Sequence, residues 1–419
     1  MDCREAASPH NLFAEYDRRF AMAMAELPVR RPWVADERAE IVRVAKACLG
    51  IREEWCPKIT IRQSHRSCAQ GFVVHHLRAT TWPDVHACAH LYLPAPAGME
   101  RLPAVLLCCG HGPGGKHCPG YQQMAAHLVR LGAAVLVPDN LGQGERQPMG
   151  HADAVAPFAC GTSLQGLIVL ESMAWLDWLR QDSRIDASRV AAIGTSGGGT
   201  LSLFLGAFRE DLAAVCSSGY PSTFEFVARK EKRHCLCNVL PGIVGQLEMG
   251  QLLGCVAPRP LLIAQGDHDV LFPNDLFHRV ARQTQEAYAR LEADDRFQAA
   301  LVPGEHSWDL GRRERIGDFL ARVLELPHNT VSEPDPPLIS AAATCFSSWP
   351  VGALGVAGLA EQLSGRSVPI DTKLWDVFPI PPIAHCLSHQ TPRGDLRRIL
   401  AQFEAFLNDP SQRRGSHHA

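Results

Sequence analysis

The chain has 419 residues, 46% hydrophobic and 20% charged, with a formal net charge of −3 at pH 7. That length buries a substantial core, as one large domain with attachments or as two domains, and the composition is ordinary for a soluble globular protein. With charge so nearly balanced there is no polyanion-binding surface to expect, so nucleic acid is not an expected partner.

The N-terminus lacks an apolar core of signal-peptide length, and no apolar run is long enough to span a bilayer, which leads us to expect a cytoplasmic protein with no membrane partner. Its 15 cysteines are scattered, and several fall in core-like strands, as at Cys108 and Cys109. Buried free thiols are expected.

In chain order, residues 1–57 read as a leading helical segment. Residues 12–50 are helical, with Asp36 as N-cap and Gly50 as stop after the Ile41, Val44, Ala45, Leu49 face. Residues 72–81 and 85–93 have strand character around Trp82-Pro83-Asp84, which predicts an antiparallel hairpin. His75, His76, His86 and His90 fall there, and a solvated or hydrogen-bonded strand face is expected in preference to a metal site.

From Pro103 the pattern changes. Apolar runs at 104–109, 133–138, 190–194, 212–218, 260–265 and 297–302 read as strands, and 121–131, 164–180, 200–208, 275–291 and 310–324 read as helices. Strands apolar throughout and alternating with helices predict an α/β fold, doubly wound around a mostly parallel sheet, over residues 58–326. Ligands of such sheets bind beyond the carboxyl ends of the strands.

Those ends carry the candidate chemistry. The run 104–109 leads into Gly110-His111-Gly112-Pro113-Gly114-Gly115-Lys116, a loop whose few side chains let backbone N–H groups approach a substrate. The run 190–194 leads into Gly194-Thr195-Ser196-Gly197-Gly198 and a helix, so Ser196 is the candidate nucleophile on a G-x-S-x-G turn; the plainer alternative is a glycine-rich packing turn. Gly266-Asp267-His268-Asp269 follows the strand at 260–265, and Gly304-Glu305-His306-Ser307-Trp308 follows the last strand. The chain order of serine, acid and histidine is that of an α/β-hydrolase triad.

These blocks, with Gly142-Gln143-Gly144-Glu145-Arg146 and Pro258-Arg259-Pro260, resemble the α/β-hydrolases, and within them the acetyl xylan esterase, cephalosporin deacetylase and dienelactone-hydrolase-like branch. The likeness spans residues 91–326. It implies Ser196 as nucleophile, His306 as its base and an acid that fixes the imidazole. Asp269 fits the family spacing Gly-x-x-Asp-x-x-x-Pro from Gly266 to Pro273 and is favoured over Asp267, which reads as a turn stabiliser.

The oxyanion hole would use the Gly197 N–H and a donor from the loop after the first parallel strand. In the family that donor often follows His-Gly, where this chain has Pro113, which has no N–H. Gly112 or Gly114 could serve instead, or the His111 side chain could help; a loop-bracing role for His111 is equally open. Glu145 and Arg146 read as an ion pair or backbone brace in preference to a substrate contact. Trp308 either walls the pocket or packs at the sheet edge.

Residues 220–255 occupy a usual lid position and carry His234-Cys235-Leu236-Cys237-Asn238 before Pro241, a patch that could shape the pocket, with His234 as a candidate substrate contact. Cys235, Cys237 and His234 mimic part of a metal site, but no second cysteine pair accompanies them. No metal and no cofactor is expected.

Residues 327–337 read as a linker, 338–410 as a C-terminal extension with an amphipathic helix at 394–408, and 411–419 as a tail. The extension could pack back, cover the site or join a homo-oligomer. The expected function is a serine carboxylic-ester hydrolase, a deacetylase on a small or sugar-linked ester. A lactone, amide or C–C hydrolase, an acyltransferase, and a non-catalytic binding protein on the same fold are the alternatives.

Overall fold

The computed structural model describes residues 37–377 apart from 70, 97, 99, 113, 152–154, 230–234, 328–334, 336, 337, 341 and 373–376. Strands β1 (Thr60–Ala69), β2 (Phe72–Thr80), β3 (His86–Pro94), β4 (Leu102–Cys108), β5 (Ala134–Pro138), β6 (Ile185–Thr195), β7 (Ala214–Ser218), β8 (Leu261–Gly266) and β9 (Phe297–Val302) form one sheet. Its order is β1-β2-β3-β5-β4-β6-β7-β8-β9. β1 to β3 are antiparallel, β3 meets β5 antiparallel, and from β5 to β9 all neighbours are parallel.

The principal helices are α1 (Arg38–Leu49), α2 (Pro119–Leu131), α3 (Leu164–Gln181), α4 (Gly197–Phe208), α5 (Asn274–Arg290), α6 (Leu310–Val323) and α7 (Val356–Ser364). Side chains alternate across a strand, so a strand covered on both faces must be apolar at every position. β4 shows this directly. Ala104, Leu106 and Cys108 join the core beneath α1, α3, α4 and α7, whereas Val105 and Leu107 join the core beneath α2 and α6.

The expected hairpin is β2–β3, and the expected parallel strands and helices are present with ends shifted by a few residues. β1 was not legible as a strand: its sequence, Thr-Ile-Arg-Gln-Ser-His-Arg-Ser-Cys-Ala, is polar, and it is held by backbone pairing to β2 at the edge of the sheet. Gly50 ends α1 in the left-handed region at φ 66°, as a helix stop does. Asp36 lies outside the described residues.

Two attachments pack onto this α/β body. Ile41, Val44 and Leu49 of α1 enter the main core, and Leu49 O accepts hydrogen bonds from Ser163 N and Oγ at the start of α3. In the extension, Cys345 and Phe346 are buried against Cys88 of β3, and Val356 and Leu359 of α7 join the main core. Residues 394–408 and 411–419 lie outside the described residues. The segment 220–255 contributes Leu240, Ile243, Val244 and Leu247 to the core, so much of the expected lid is packed interior. None of the helices among the described residues is long and apolar enough to cross a membrane.

A buried ionic network ties the strand-end loops to this body. Lys116 Nζ donates to Asp139 Oδ2 at 2.6 Å and to Glu145 Oε1 at 2.5 Å. Arg146 pairs with both oxygens of Glu171 at 2.6 and 2.9 Å and donates to Asp139 O. Phe346 N donates to Glu145 Oε2, which docks the extension. Glu145 and Arg146 are thus placed as braces. Burial opposes the Lys116 charge, but Asp139 and Glu145 outweigh it and hold the ammonium well above its ordinary range. Arg146→Met leaves Glu171 buried without its partner and should cost about 3–5 kcal/mol, read by urea denaturation. A loss below about 1 kcal/mol would contradict this role for the network.

Candidate active site

Ser196 sits between β6 and α4, half-buried, at φ 57° and ψ −125°. That backbone is strained for a residue with a Cβ and persists only where the surroundings enforce it. Here they do. A Cβ on Gly194 would strike Gly198 O, one on Gly198 would strike Cys108 O, and one on Gly199 would strike Ser218 O. The glycines allow α4 to start in backbone contact with β4, β6 and β7, and Ser196 N donates to Ser218 O at 3.0 Å.

The acid and the histidine arrive from β8 and β9. Thr195 pairs with Ser218, Ser218 with Ala264, and Gly266 with Val302, so the carboxyl ends of β6 to β9 finish side by side. His306 Nδ1 donates to Asp269 Oδ2 at 2.7 Å, and Asp269 Oδ1 accepts from Leu271 N at 2.8 Å and Phe272 N at 3.2 Å. Burial opposes the Asp269 charge, but the His306 hydrogen bond and charge and the two backbone donors hold its carboxyl below the ordinary carboxylate range. Asp267 instead accepts from Gly304 N at 3.0 Å and from the exposed His268, bracing the turn.

With Nδ1 engaged, His306 presents Nε2 as its free ring nitrogen; Nε2 is buried and unpaired among the described residues. His306 Cε1 stands 3.3 Å from where a Cβ on Gly219 would lie, next to Ser218, which accepts from Ser196 N. The Phe272 ring covers the imidazole at 5.7 Å between centroids. No hydrogen bond joins Ser196 Oγ to Nε2.

The loop after β4 closes the other side. Gly110 N donates to the Tyr121 hydroxyl, Gly115 N to Gly112 O, Lys116 N to Asp139 Oδ1, and His117 N to Gly114 O. Those N–H groups are committed, within the loop or to Tyr121 and Asp139 beside it, whereas those of Gly112 and Gly114 have no acceptor among the described residues. A Cβ on Gly110 would stand 3.1 Å from Gly197 N, so glycine there keeps that donor uncovered. His111 lies against Gly197, and its Nε2 is 2.9 Å from Cys237 Sγ. Pro113 and His234 lie outside the described residues.

Trp308 is buried against Gly120 and the Tyr121 ring, at 6.2 Å between centroids. It packs beneath α2 instead of lining an open mouth. Arg312 escaped the sequence reading. Fully buried on α6, it donates through Nη2 to Glu305 O and so anchors the loop that carries His306. One arginine among the four of an amphipathic helix gives no sequence signal for that role.

No protein-family model matches the chain. A curated protein of Bacillus subtilis (strain 168), named "Putative hydrolase YtaP", is 24% identical over 256 residues, 57% of this chain and 85% of the relative. Among solved structures, "Methylesterase BT1017" aligns with a TM-score of 0.56 at 18% identity, over 96% of this chain and 78% of the other. A Bacteroides fragilis NCTC 9343 structure titled as a putative acetyl xylan esterase aligns at 0.52 with 16% identity, over 70% and 80%. A glucuronoyl esterase from Solibacter usitatus aligns at 0.52 with 15% identity, over 71% and 94%. At such identities the likeness is one of fold. Sheet order, strand-end geometry and these neighbours together give the chain the α/β-hydrolase fold.

Proposed function

We propose that the chain is a serine carboxylic-ester hydrolase that works through an acyl-enzyme. The observation that carries this is the strained Ser196 turn on β6 next to strand ends that hold His306 against Asp269 at 2.7 Å. A serine hydroxyl is a weak nucleophile at neutral pH and needs a base as it attacks. Ser196 Oγ adds to the ester carbonyl while its proton passes to His306 Nε2. Asp269 accepts from Nδ1, which leaves the lone pair on Nε2 and stabilises the imidazolium once it forms.

The tetrahedral oxyanion would take hydrogen bonds from Gly197 N–H and Gly112 N–H. His306 then returns the proton to the leaving alcohol, the ester C–O bond breaks, and water enters by the reverse sequence to release the acid and free Ser196. The acyl group is acetyl or similarly small and the alcohol is small or sugar-linked. A solved neighbour named as an acetyl xylan esterase supports that substrate class, and neighbours named as a methylesterase and a glucuronoyl esterase support ester hydrolysis more broadly.

Acetate release from aryl acetates and acetylated sugars tests the assignment. Ser196→Ala should reduce turnover to background with the fold intact by circular dichroism. Asp269→Asn should lower kcat by on the order of 10⁴, because it breaks the tautomer control. Asp267→Asn should cost about tenfold or less, since that residue only braces the turn. Near-wild-type turnover in Ser196→Ala, or a larger loss in Asp267→Asn than in Asp269→Asn, would contradict the reading. His306→Gln should likewise lower kcat by at least on the order of 10⁴, and near-wild-type kcat/KM in that variant would remove His306 from the role of base.

A further inference from the structure

Three loops on the carboxyl side of the sheet bring two histidines and two cysteines together beside the Ser196 turn. His111 follows β4, His151 follows the short 3-10 helix Gly144–Met149, and Cys235 and Cys237 come from the segment after β7. One ligand-capable atom from each lies within 4.8 Å of all the others. His151 and Cys237 are buried, Cys235 is half-buried and His111 is exposed. The sequence shows only the Cys-x-Cys half of this group, because its histidines are separated from the cysteines by more than 80 residues.

We propose that His111, His151, Cys235 and Cys237 form a closed, tetrahedral zinc site. Two thiolates neutralise a divalent ion, and two imidazoles complete the Cys₂His₂ set typical of structural zinc. Bond lengths of ~2.3 Å to sulfur and ~2.0–2.1 Å to nitrogen imply ligand–ligand edges of roughly 3.3–3.8 Å. A group already within 4.8 Å closes on such an ion by side-chain movement alone.

The surroundings fit as well. His151 Nδ1 donates to Leu141 O at 2.6 Å, the backbone contact that orients a metal-bound imidazole and leaves Nε2 for the ion. Gln143 Nε2, 3.2 Å from His151 Nε2, is the competing donor and would swing away. Gly142, at φ 72°, makes room for the backbone of His151, which a Cβ there would strike at 2.6 Å.

With zinc on Nε2 of His111, the ring proton must sit on Nδ1. That atom lies on the Gly197 side: a Cβ on Gly197 would be 2.9 Å from it. This consequence rests on the ester-hydrolase reading, in which Gly197 N–H holds the oxyanion. Zinc would then fix His111 as a donor at the rim of that site and tie the loop after β4 to residues 235–237. With all four positions filled by protein, the ion positions residues and does not activate water.

The test is made on the full-length chain, reduced, stripped with a chelator and dialysed against zinc. Metal analysis should find about one zinc per chain, and cobalt substitution should give the intense visible bands of a tetrahedral site with thiolate-to-cobalt charge transfer. Cys235→Ser, Cys237→Ser and His151→Ala should each weaken zinc binding by at least about tenfold, whereas Cys118→Ser should leave it unchanged. Less than about 0.2 zinc per wild-type chain, or undiminished binding in a Cys235→Ser/Cys237→Ser double variant, would overturn the site. So would a Cys235–Cys237 disulfide that forms in preference to metal binding. Cobalt spectra of the wild type decide the matter even if a variant fails to fold. Ser196→Ala should bind zinc normally, so stoichiometric zinc without ester turnover would overturn only the functional reading, and turnover without zinc only the metal site.

Discussion

The backbone at Ser196 is the constraint on which the rest of the site depends. A non-glycine residue at φ 57° costs about 1–3 kcal/mol and must be held there by its neighbours. It is held because Gly194, Gly198 and Gly199 leave no gap between the start of α4 and the strands beside it. One crowded turn therefore sets both the direction of the Ser196 side chain and the position of the Gly197 N–H.

Everything else brings partners to that turn. Parallel pairing from β5 to β9 ends the strands in one row, so residues far apart in sequence meet without long connections. The loops beyond the strands are then fixed by polar contacts. Arg312 holds the His306 loop through Glu305 O, two backbone N–H groups hold Asp269, and the Lys116, Asp139 and Glu145 cluster holds the loop after β4. Such loops place groups reproducibly because the buried Lys116, Asp139 and Glu145 charges are paired with one another and the Asp269 carboxylate accepts from His306 and two backbone N–H groups.

Much of this was legible in the sequence, for a physical reason. Strands covered on both faces must be apolar throughout, so β4, β5, β7, β8 and the carboxyl half of β6 stand out, and a strand-end site places its candidate residues directly after such runs. Ser196, Asp269 and His306 are singled out that way as candidates. What escaped has no local pattern. β1 is a polar edge strand, Arg312 acts through one backbone carbonyl, and the docking of α1 and of residues 345–364 depends on surfaces built elsewhere in the chain. Trp308 is ambiguous because a tryptophan two residues beyond a candidate histidine reads the same whether it faces substrate or core. The four-residue group of His111, His151, Cys235 and Cys237 assembles only when the loops fold, so Cys-x-Cys spacing alone could not reveal it.

The central claim is that Ser196 is an activated nucleophile. Its most direct measurement is covalent labelling of the native protein with a serine-reactive phosphonate, followed by peptide mass spectrometry and titration of ester turnover against label. The account predicts one adduct per chain, on Ser196, with turnover lost in proportion and no adduct after unfolding. A chain that keeps its ester turnover with Ser196 fully labelled, or that carries the label on another residue while losing activity, would contradict it.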